Sequence, residues 1–390
     1  MKLVIINTLY APTAIGGAER SVQVLAETLV YLKHNVTVIC TRAEKGAKQA
    51  WVNGVKVYYL GLKNSYWPHD QNAVSAPTKL FWHLRDSYNP AMGREVGRIL
   101  DLEQPDLVHT NNLSGFSVSV WREVKRRNLP LVHSLRDYYL LCPKATMYKR
   151  GNCQGQCPDC KLLSLPKAAQ TTLIDSVVGI SDFILKRHLD FGYFVSALQN
   201  VIPNAYQVMT LAVHLPSDKV RFGFLGRLAP VKGLDLLLKA CKALNQQGSF
   251  ELLVGGVGDE HYLAYLRRRY PLANCTYLGH VDPAQFFASI DVLVVPSLWH
   301  EPMGRIVIEA FAHGVPVIGT NRGGIPRLID KETGFIFDPN EQQTLQGILE
   351  HFLQNPRLAS RMQKACLTKA RSFLPLPTTK AYLEVYQSLL

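Results

Sequence analysis

Short, near-continuous runs of Val, Ile and Leu, each followed by a longer amphipathic stretch, recur from one end of this chain to the other. No other feature restricts the fold so tightly. Strands that are apolar on both faces belong in a parallel sheet covered by helices on either side, because an exposed face would show polar alternation. The first series comprises 2–7, 35–40, 55–60, 106–110, 130–135 and 177–180. A second begins at 220–226 and continues through 250–254, 275–279, 291–295 and 315–319. Two series in 390 residues exceed what one hydrophobic core ordinarily holds. The expected class is therefore α/β, with two Rossmann-like doubly wound domains.

Between the series, from about 204 to 219, the periodicity fades and Pro203 and Pro216 punctuate the chain, which marks a linker. The expected organisation is a first domain over 1–204, a second over 205–375, and a terminal segment over 376–390. Ala381, Tyr382, Val385, Tyr386 and Leu389 of that segment fall on one helical face. It is expected to be a helix that packs back on the first domain. Met1–Asn7 lacks a small-residue cleavage site and runs straight into a Gly-rich turn, so it reads as a first strand rather than a leader. No apolar run approaches the about 20 residues that cross a bilayer. The expected location is the cytoplasm, with the inner face of the membrane as the alternative.

The formal net charge is +13, yet the basic residues are not interleaved with stacking aromatics and no nucleic-acid module is evident. The charge points to anionic small molecules and to peripheral association with an anionic membrane, not to nucleic acid. A local basic run, Arg122, Lys125, Arg126 and Arg127, sits on a helix-like segment and is equally well explained as a solvated face.

Open α/β sheets take ligands beyond the carboxyl ends of their strands, where Gly-rich turns open helices. Gly226-Arg227-Leu228-Ala229-Pro230-Val231-Lys232-Gly233 follows the first strand of the second series. Arg227 and Lys232 stand across a turn, so a fork of donors and a compact charge can meet one anion. Further on, Glu301-Pro302-Met303-Gly304-Arg305-Ile306-Val307-Ile308-Glu309 follows another strand, with a helix starting near Gly304. Its first amides and dipole favour an anion. Glu301 precedes the helix and Glu309 lies more than a turn inside it, so the two carboxylates can accept hydrogen bonds from two separate diols. In the first series, Gly16-Gly17 lets the backbone approach a ligand closely.

These segments resemble glycosyltransferase family 4, whose members have the GT-B fold. The resemblance rests on the GRLAPVKG run and on EPMGRIVIE, which fits the family's EPFGxxxxE pattern with Met303 in place of Phe. It implies two domains facing across a cleft and a retaining transfer of a sugar from a nucleotide-diphosphate donor. The acceptor would be a glycan, a lipid-linked intermediate or a small molecule, in polysaccharide or glycoconjugate biosynthesis, with no cofactor beyond the donor. It also implies that Arg227 and Lys232 bind the diphosphate and that Glu301, Met303 and Gly304 hold the transferred sugar. Arg305 and Ile306 would present amides to a phosphate, Glu309 would meet the ribose, and Gly16 and Gly17 would face donor and acceptor. At the strand exit where relatives carry His-Asp, this chain has Arg136-Asp137, which we take as the polar pair on the acceptor side in preference to His133. The competing readings are a non-catalytic nucleotide-sugar-binding protein and an epimerase or phosphorylase of the same fold.

Four of the eight cysteines crowd one loop: Cys142, Cys153, Cys157 and Cys160. Four thiolates with a Cys-Pro-Asp-Cys element fit a closed structural zinc site, with disulfides as the alternative.

Overall fold

In the computed structural model, which describes residues 1–13, 16–70, 74–207, 217–244 and 250–390, the apolar runs form two sheets. The strands are β1 (Lys2–Ile6), β2 (Asn35–Arg42), β3 (Ala47–Val52), β4 (Val55–Gly61), β5 (Leu107–Thr110), β6 (Leu131–Leu135), β7 (Ser176–Gly179) and β8 (Leu198–Val201) in the first, then β9 (Val220–Leu225), β10 (Phe250–Gly255), β11 (Cys275–Gly279), β12 (Val292–Val295), β13 (Val317–Thr320) and β14 (Gly334–Phe337) in the second. The first sheet has the order β3-β4-β2-β1-β5-β6-β7-β8 and the second β11-β10-β9-β12-β13-β14. All pairings are parallel except β3 with β4. Both sheets are thus doubly wound. In each, the chain direction of winding reverses beside the first strand of its series, between β1 and β5 and between β9 and β12.

Each sheet anchors its own unit. Unit 1 comprises Met1–Lys149, Cys153–Ala205 and Pro375–Leu390, and unit 2 comprises Arg150–Asn152 and Tyr206–Leu374. The expected linker lies mostly outside the described residues, over 208–216. Asn204 at its start is buried within unit 1. The core of unit 1 gathers Ile5, Val38 and Val57 from the strands with Leu25 and Leu29 from the helix Gly17–Tyr31. Tyr382, Val385 and Tyr386 of the terminal helix Pro375–Gln387 complete it. The stripe read from the sequence is therefore the buried face, and the last helix belongs to the first unit. Among the described residues no helix is long and apolar enough to cross a membrane.

Strands β3, β8 and β14 were not expected. β3 and β8 are sheet edges with mostly exposed side chains, so they lack the continuous apolar run that identifies a buried strand.

Candidate active site

The reversal point of the second sheet is where unit 2 concentrates its polar chemistry. β9 and β12 are paired only at Val292–Phe222 and Leu293–Gly223, so beyond these residues the two strands lead into separate loops. Those loops approach each other backbone to backbone. Gly233 has φ +74, and a Cβ there would lie 1.8 Å from the Pro296 carbonyl oxygen. A Cβ on Gly256 would lie 1.8 Å from the Gly226 oxygen, and one on Gly258 would lie 2.0 Å from that of Leu228. The Leu298 amide donates to the Val231 carbonyl at 2.9 Å, which ties the loop after β12 to the loop after β9. Glycine is required at these contacts because any side chain would push the loops apart.

On this frame Lys232 donates to Glu301 Oε1 at 2.5 Å, and Ser297 Oγ donates to the same oxygen at 3.1 Å. The Lys232 ammonium also lies 5.4 Å from the centre of the Trp299 ring. Both side chains of the Lys232–Glu301 pair are largely covered. Arg227 stands apart: it is exposed and forms no ion pair with a described residue. The helix Arg305–Ala312 begins directly after Gly304, whose φ of +97 places it in the left-handed region and which, as the N-cap, supplies no side-chain cap. One turn in, Arg305 Nε donates to Glu309 Oε1 at 2.8 Å. The structure thus brings Glu301, Met303, Gly304, Arg305, Ile306 and Glu309 onto one loop and helix start, with Lys232 fastened to it.

Several residues that support this arrangement were not identified from the sequence. Asn152 belongs to unit 2, although it comes from the cysteine loop. Its Nδ2 donates to the Leu298 carbonyl at 2.7 Å, and its Oδ1 accepts from the His300 amide at 2.9 Å. The Gly323 amide donates to His300 Nδ1 at 3.1 Å and the Gly324 amide to the Glu301 carbonyl at 2.8 Å. Gly323-Gly324 is separated by two residues from the end of β13, so a Gly-Gly turn near a strand exit was the available signal. Asn152 had none.

Arg136, Asp137, Gly16 and Gly17 all lie in unit 1. Arg136, at the exit of β6, is buried; its Nε donates to Asn111 Oδ1 at 2.7 Å, and Nη1 donates to Asn204. Asp137 accepts from the Tyr139 amide at 2.8 Å. Burial, opposed by that hydrogen bond and by Lys167, raises its carboxyl to about 6, and Glu19 from the helix Gly17–Tyr31 adds to the rise. Gly16 is the N-cap of that helix, in extended conformation and without a side-chain cap. Behind the strand exit Lys167 is buried, donates to the Tyr139 carbonyl at 2.8 Å and is lowered to about 8 by desolvation. Asp86, buried nearby, is raised by desolvation to about 6.

The two histidines near this exit are structural. His133 Nδ1 bonds to Thr110 Oγ1 at 2.9 Å, and its ring stacks on Phe194 and meets Trp121 edge-on. Desolvation lowers it to about 3, so it stays neutral. His109 is held between Ser134 Oγ and Tyr386 Oη, each at 2.8 Å, and burial pushes its pKa well below the usual value.

The zinc expectation is corrected. Among the described residues no group of three or more His, Cys, Asp or Glu side chains is arranged to hold a metal ion. All four thiols are free. Cys157, the N-cap of the helix Pro158–Gln170, is lowered by bonds from the Cys160 amide and thiol, and Cys160 also bonds to Cys142.

Two doubly wound α/β units, one carrying a glycine-enforced cradle with paired carboxylates, define the class of GT-B glycosyltransferases. The description "Glycosyltransferase Family 4" matches residues 15–206, and "Glycosyl transferases group 1" matches residues 212–368. The chain belongs to the family 4 type of glycosyltransferases and is an enzyme of that kind. It is 36% identical, over 84% of its length and 87% of the relative's, to an uncharacterized 42.6 kDa protein in the cps region of Klebsiella pneumoniae. Its fold is similar to that of sucrose-phosphate synthase from Thermosynechococcus elongatus, with TM-score 0.78, 20% identity, and 100% and 98% of the two chains covered. It is also similar to Anabaena HepE, solved in complex with UDP and glucose, with TM-score 0.71, 19% identity and both chains covered in full.

Proposed function

We propose that the protein is a retaining glycosyltransferase that moves a sugar from a nucleotide-diphosphate donor, held by unit 2, to a glycan, lipid-linked or small-molecule acceptor in polysaccharide or glycoconjugate biosynthesis. The observation that carries this reading is the Lys232–Glu301 pair at 2.5 Å, set beside a helix start whose N-cap is a glycine. In this reading Glu301 and the backbone of Met303 and Gly304 hold the sugar. Arg227, Lys232 and the amides of Arg305 and Ile306 face the diphosphate, and Glu309 accepts from the ribose. HepE, the neighbour solved with UDP and glucose, supports a nucleotide sugar as the donor class.

During transfer the bond from the anomeric carbon to the diphosphate oxygen breaks, and the acceptor hydroxyl oxygen bonds to that carbon on the same face. The hydroxyl proton passes to the departing phosphate. Negative charge grows on the diphosphate as the bond opens, and cations and amides fixed beforehand stabilise it without reorganising. Lys232 has a second task, since its charge offsets Glu301 and lets a carboxylate sit close to an anionic donor. Arg136 and Asp137 are the acceptor-side polar pair. In this reading Asp137, raised to about 6 and so ionised at neutral pH, accepts a hydrogen bond from an acceptor hydroxyl.

The test is a panel of UDP-, GDP- and ADP-sugars assayed for transfer and hydrolysis, with thermal shifts on the free nucleotides. A ligand at a hundredfold its Kd should stabilise the protein by about 2.7 kcal/mol. Turnover of one donor with retained anomeric configuration is expected. Absence of binding to every nucleotide would overturn the donor assignment.

A further inference from the structure

Asn111 directly follows β5, at the place where the winding of the first sheet reverses beside β1. Its amide donates to the Ile6 carbonyl at 2.8 Å, which carries the pairing of β1 with β5 one residue further. Asn111 is 1% exposed. Its Oδ1 accepts from Arg136 Nε at 2.7 Å, and Arg136 is itself buried and donates to Asn204 as well. The bond from Arg136 fixes which way the amide points. A flipped Asn111 would set its NH2 against the N–H of a guanidinium, donor against donor. The Nδ2 so placed is buried and has no hydrogen-bond partner among the described residues. A buried N–H without an acceptor is costly and uncommon in folded proteins, so this one calls for a partner.

Asn111 also lines a small cavity, together with Asn112, His133, Arg136 and Asp137. The cavity measures about 10 Å³, close to the least that admits one water-sized group. Asn112 and Asp137 are partly exposed, so it lies directly beneath the surface of the unit. His133 is committed elsewhere, through Nδ1 to Thr110. Asp137 spends one bond on the Tyr139 amide, and a carboxylate keeps further lone pairs to accept with. Around the cavity there is thus a donor in Asn111, an acceptor in Asp137 and a cation in Arg136. An anion there would meet Asp137, and a second cation would meet Arg136. A methyl group would leave the Asn111 N–H unpaired, and a sugar ring is too large. A hydroxyl satisfies every group: its oxygen accepts from Asn111 Nδ2 and its hydrogen goes to Asp137.

We infer that Asn111 and Asp137 form a one-oxygen subsite that takes a single hydroxyl group of the acceptor, with Asn111 Nδ2 as the donor to it. The inference rests on the acceptor-side reading of Asp137 and deepens it by adding the residue that selects the group bound. Arg136 becomes a positioning residue, since it acts on the hydroxyl through the orientation of the Asn111 amide. The subsite makes the acceptor class a polyol or sugar with a free hydroxyl at one defined position. An acceptor lacking that hydroxyl would leave both Nδ2 and the carboxylate unpaired, which is how a buried polar site rejects a deoxy analogue.

Two experiments on the full chain test this. Crystals of the wild type are compared before and after a soak in glycerol, the polyol probe. An oxygen is expected within hydrogen-bond distance of both Asn111 Nδ2 and Asp137, a water before the soak and a glycerol hydroxyl after it. An Nδ2 bonded to a protein group, with no oxygen beside it, would overturn the subsite. So would a water that glycerol never displaces, because the site would then hold a structural water only. The second experiment is Asn111→Asp, which keeps Oδ1 for Arg136 and removes the donor. With octyl glycosides as acceptor probes, kcat/KM for transfer should fall at least about tenfold through the acceptor KM, while donor hydrolysis and nucleotide Kd stay within about twofold. Equal transfer by the variant, or transfer and hydrolysis falling together, would leave Asn111 a structural residue and overturn its role. A wild type that neither binds a nucleotide nor turns over a donor would instead sink the proposed function, and the oxygen in the crystal would still decide the subsite.

Discussion

The loops after β9 and β12 and the exit of β6 both sit where a doubly wound sheet is built to take ligands, yet they are made by opposite means. In unit 2 the backbone dominates. Gly226, Gly233, Gly256 and Gly304 all have positive φ, and three loops touch through atoms that leave no room for a side chain. The charges placed on this frame are paired with each other, Lys232 with Glu301 and Arg305 with Glu309. In unit 1 burial dominates. Arg136 is shielded and fixed by two asparagines, and Asp137, Asp86 and Lys167 have pKa values displaced chiefly by desolvation. A site built on backbone constrains residue identity tightly, whereas a site built on burial can exchange one polar residue for another if the hydrogen bonds are supplied.

That contrast can be broken, and the most severe break is expected from Gly233→Ala. The new Cβ would fall on the Pro296 carbonyl, so the loops must separate. Loss of stability beyond about 4 kcal/mol is expected, with no nucleotide-dependent thermal shift; a well-folded variant that still binds would show that the backbone contact is dispensable. Next comes Lys232→Ala, expected to lower kcat/KM about 100- to 1000-fold while the fold persists, measured by steady-state transfer. A loss below tenfold would remove Lys232 from the charge-stabilising set. His133→Ala should act on the other axis. It empties a ring site between Trp121 and Phe194 and should cost about 3 kcal/mol in urea unfolding, with nucleotide affinity unchanged. A selective loss of turnover there would return His133 to the chemistry.

The mildest effect is expected from Asp137→Asn. Because its folded pKa is raised to about 6, the native state binds the proton more tightly than the unfolded chain does. Wild type therefore loses stability as pH rises from about 4 through 6, and the Asn variant does not. Above pH 6 the variant should be the more stable by on the order of 1–2 kcal/mol, and the difference should vanish below about pH 4. A variant less stable than wild type at pH 8 would mean that the carboxylate is held by partners and not merely buried.

How much of this could be read beforehand follows the same division. The buried strands announced themselves as apolar runs, and so did the two doubly wound sheets. The edge strands did not, although Asn53-Gly54 between β3 and β4, with φ of +50 and +80, is the turn a hairpin demands and was a usable signal. The loop motifs of unit 2 were legible because close backbone approach admits only glycine. What escaped was long-range: Asn152 reaches Leu298 and His300 from almost 150 positions away, and no local pattern encodes that. Asn111 and Asn204 escaped as the holders of Arg136 for the same reason. The cysteine spacing was legible too, but spacing does not establish a metal site, and here Cys157 stands at a helix N-cap position and bonds to Cys160.

The central claim is that Lys232 of unit 2 holds the donor, and calorimetric titration of the nucleotide into three proteins tests it most directly. Wild type and Asp137→Asn should bind with the same Kd within about threefold, whereas Lys232→Ala should bind at least about tenfold more weakly, which is about 1.4 kcal/mol. Equal binding by wild type and Lys232→Ala, with binding lost in Asp137→Asn, would contradict the account and move the donor to the first unit.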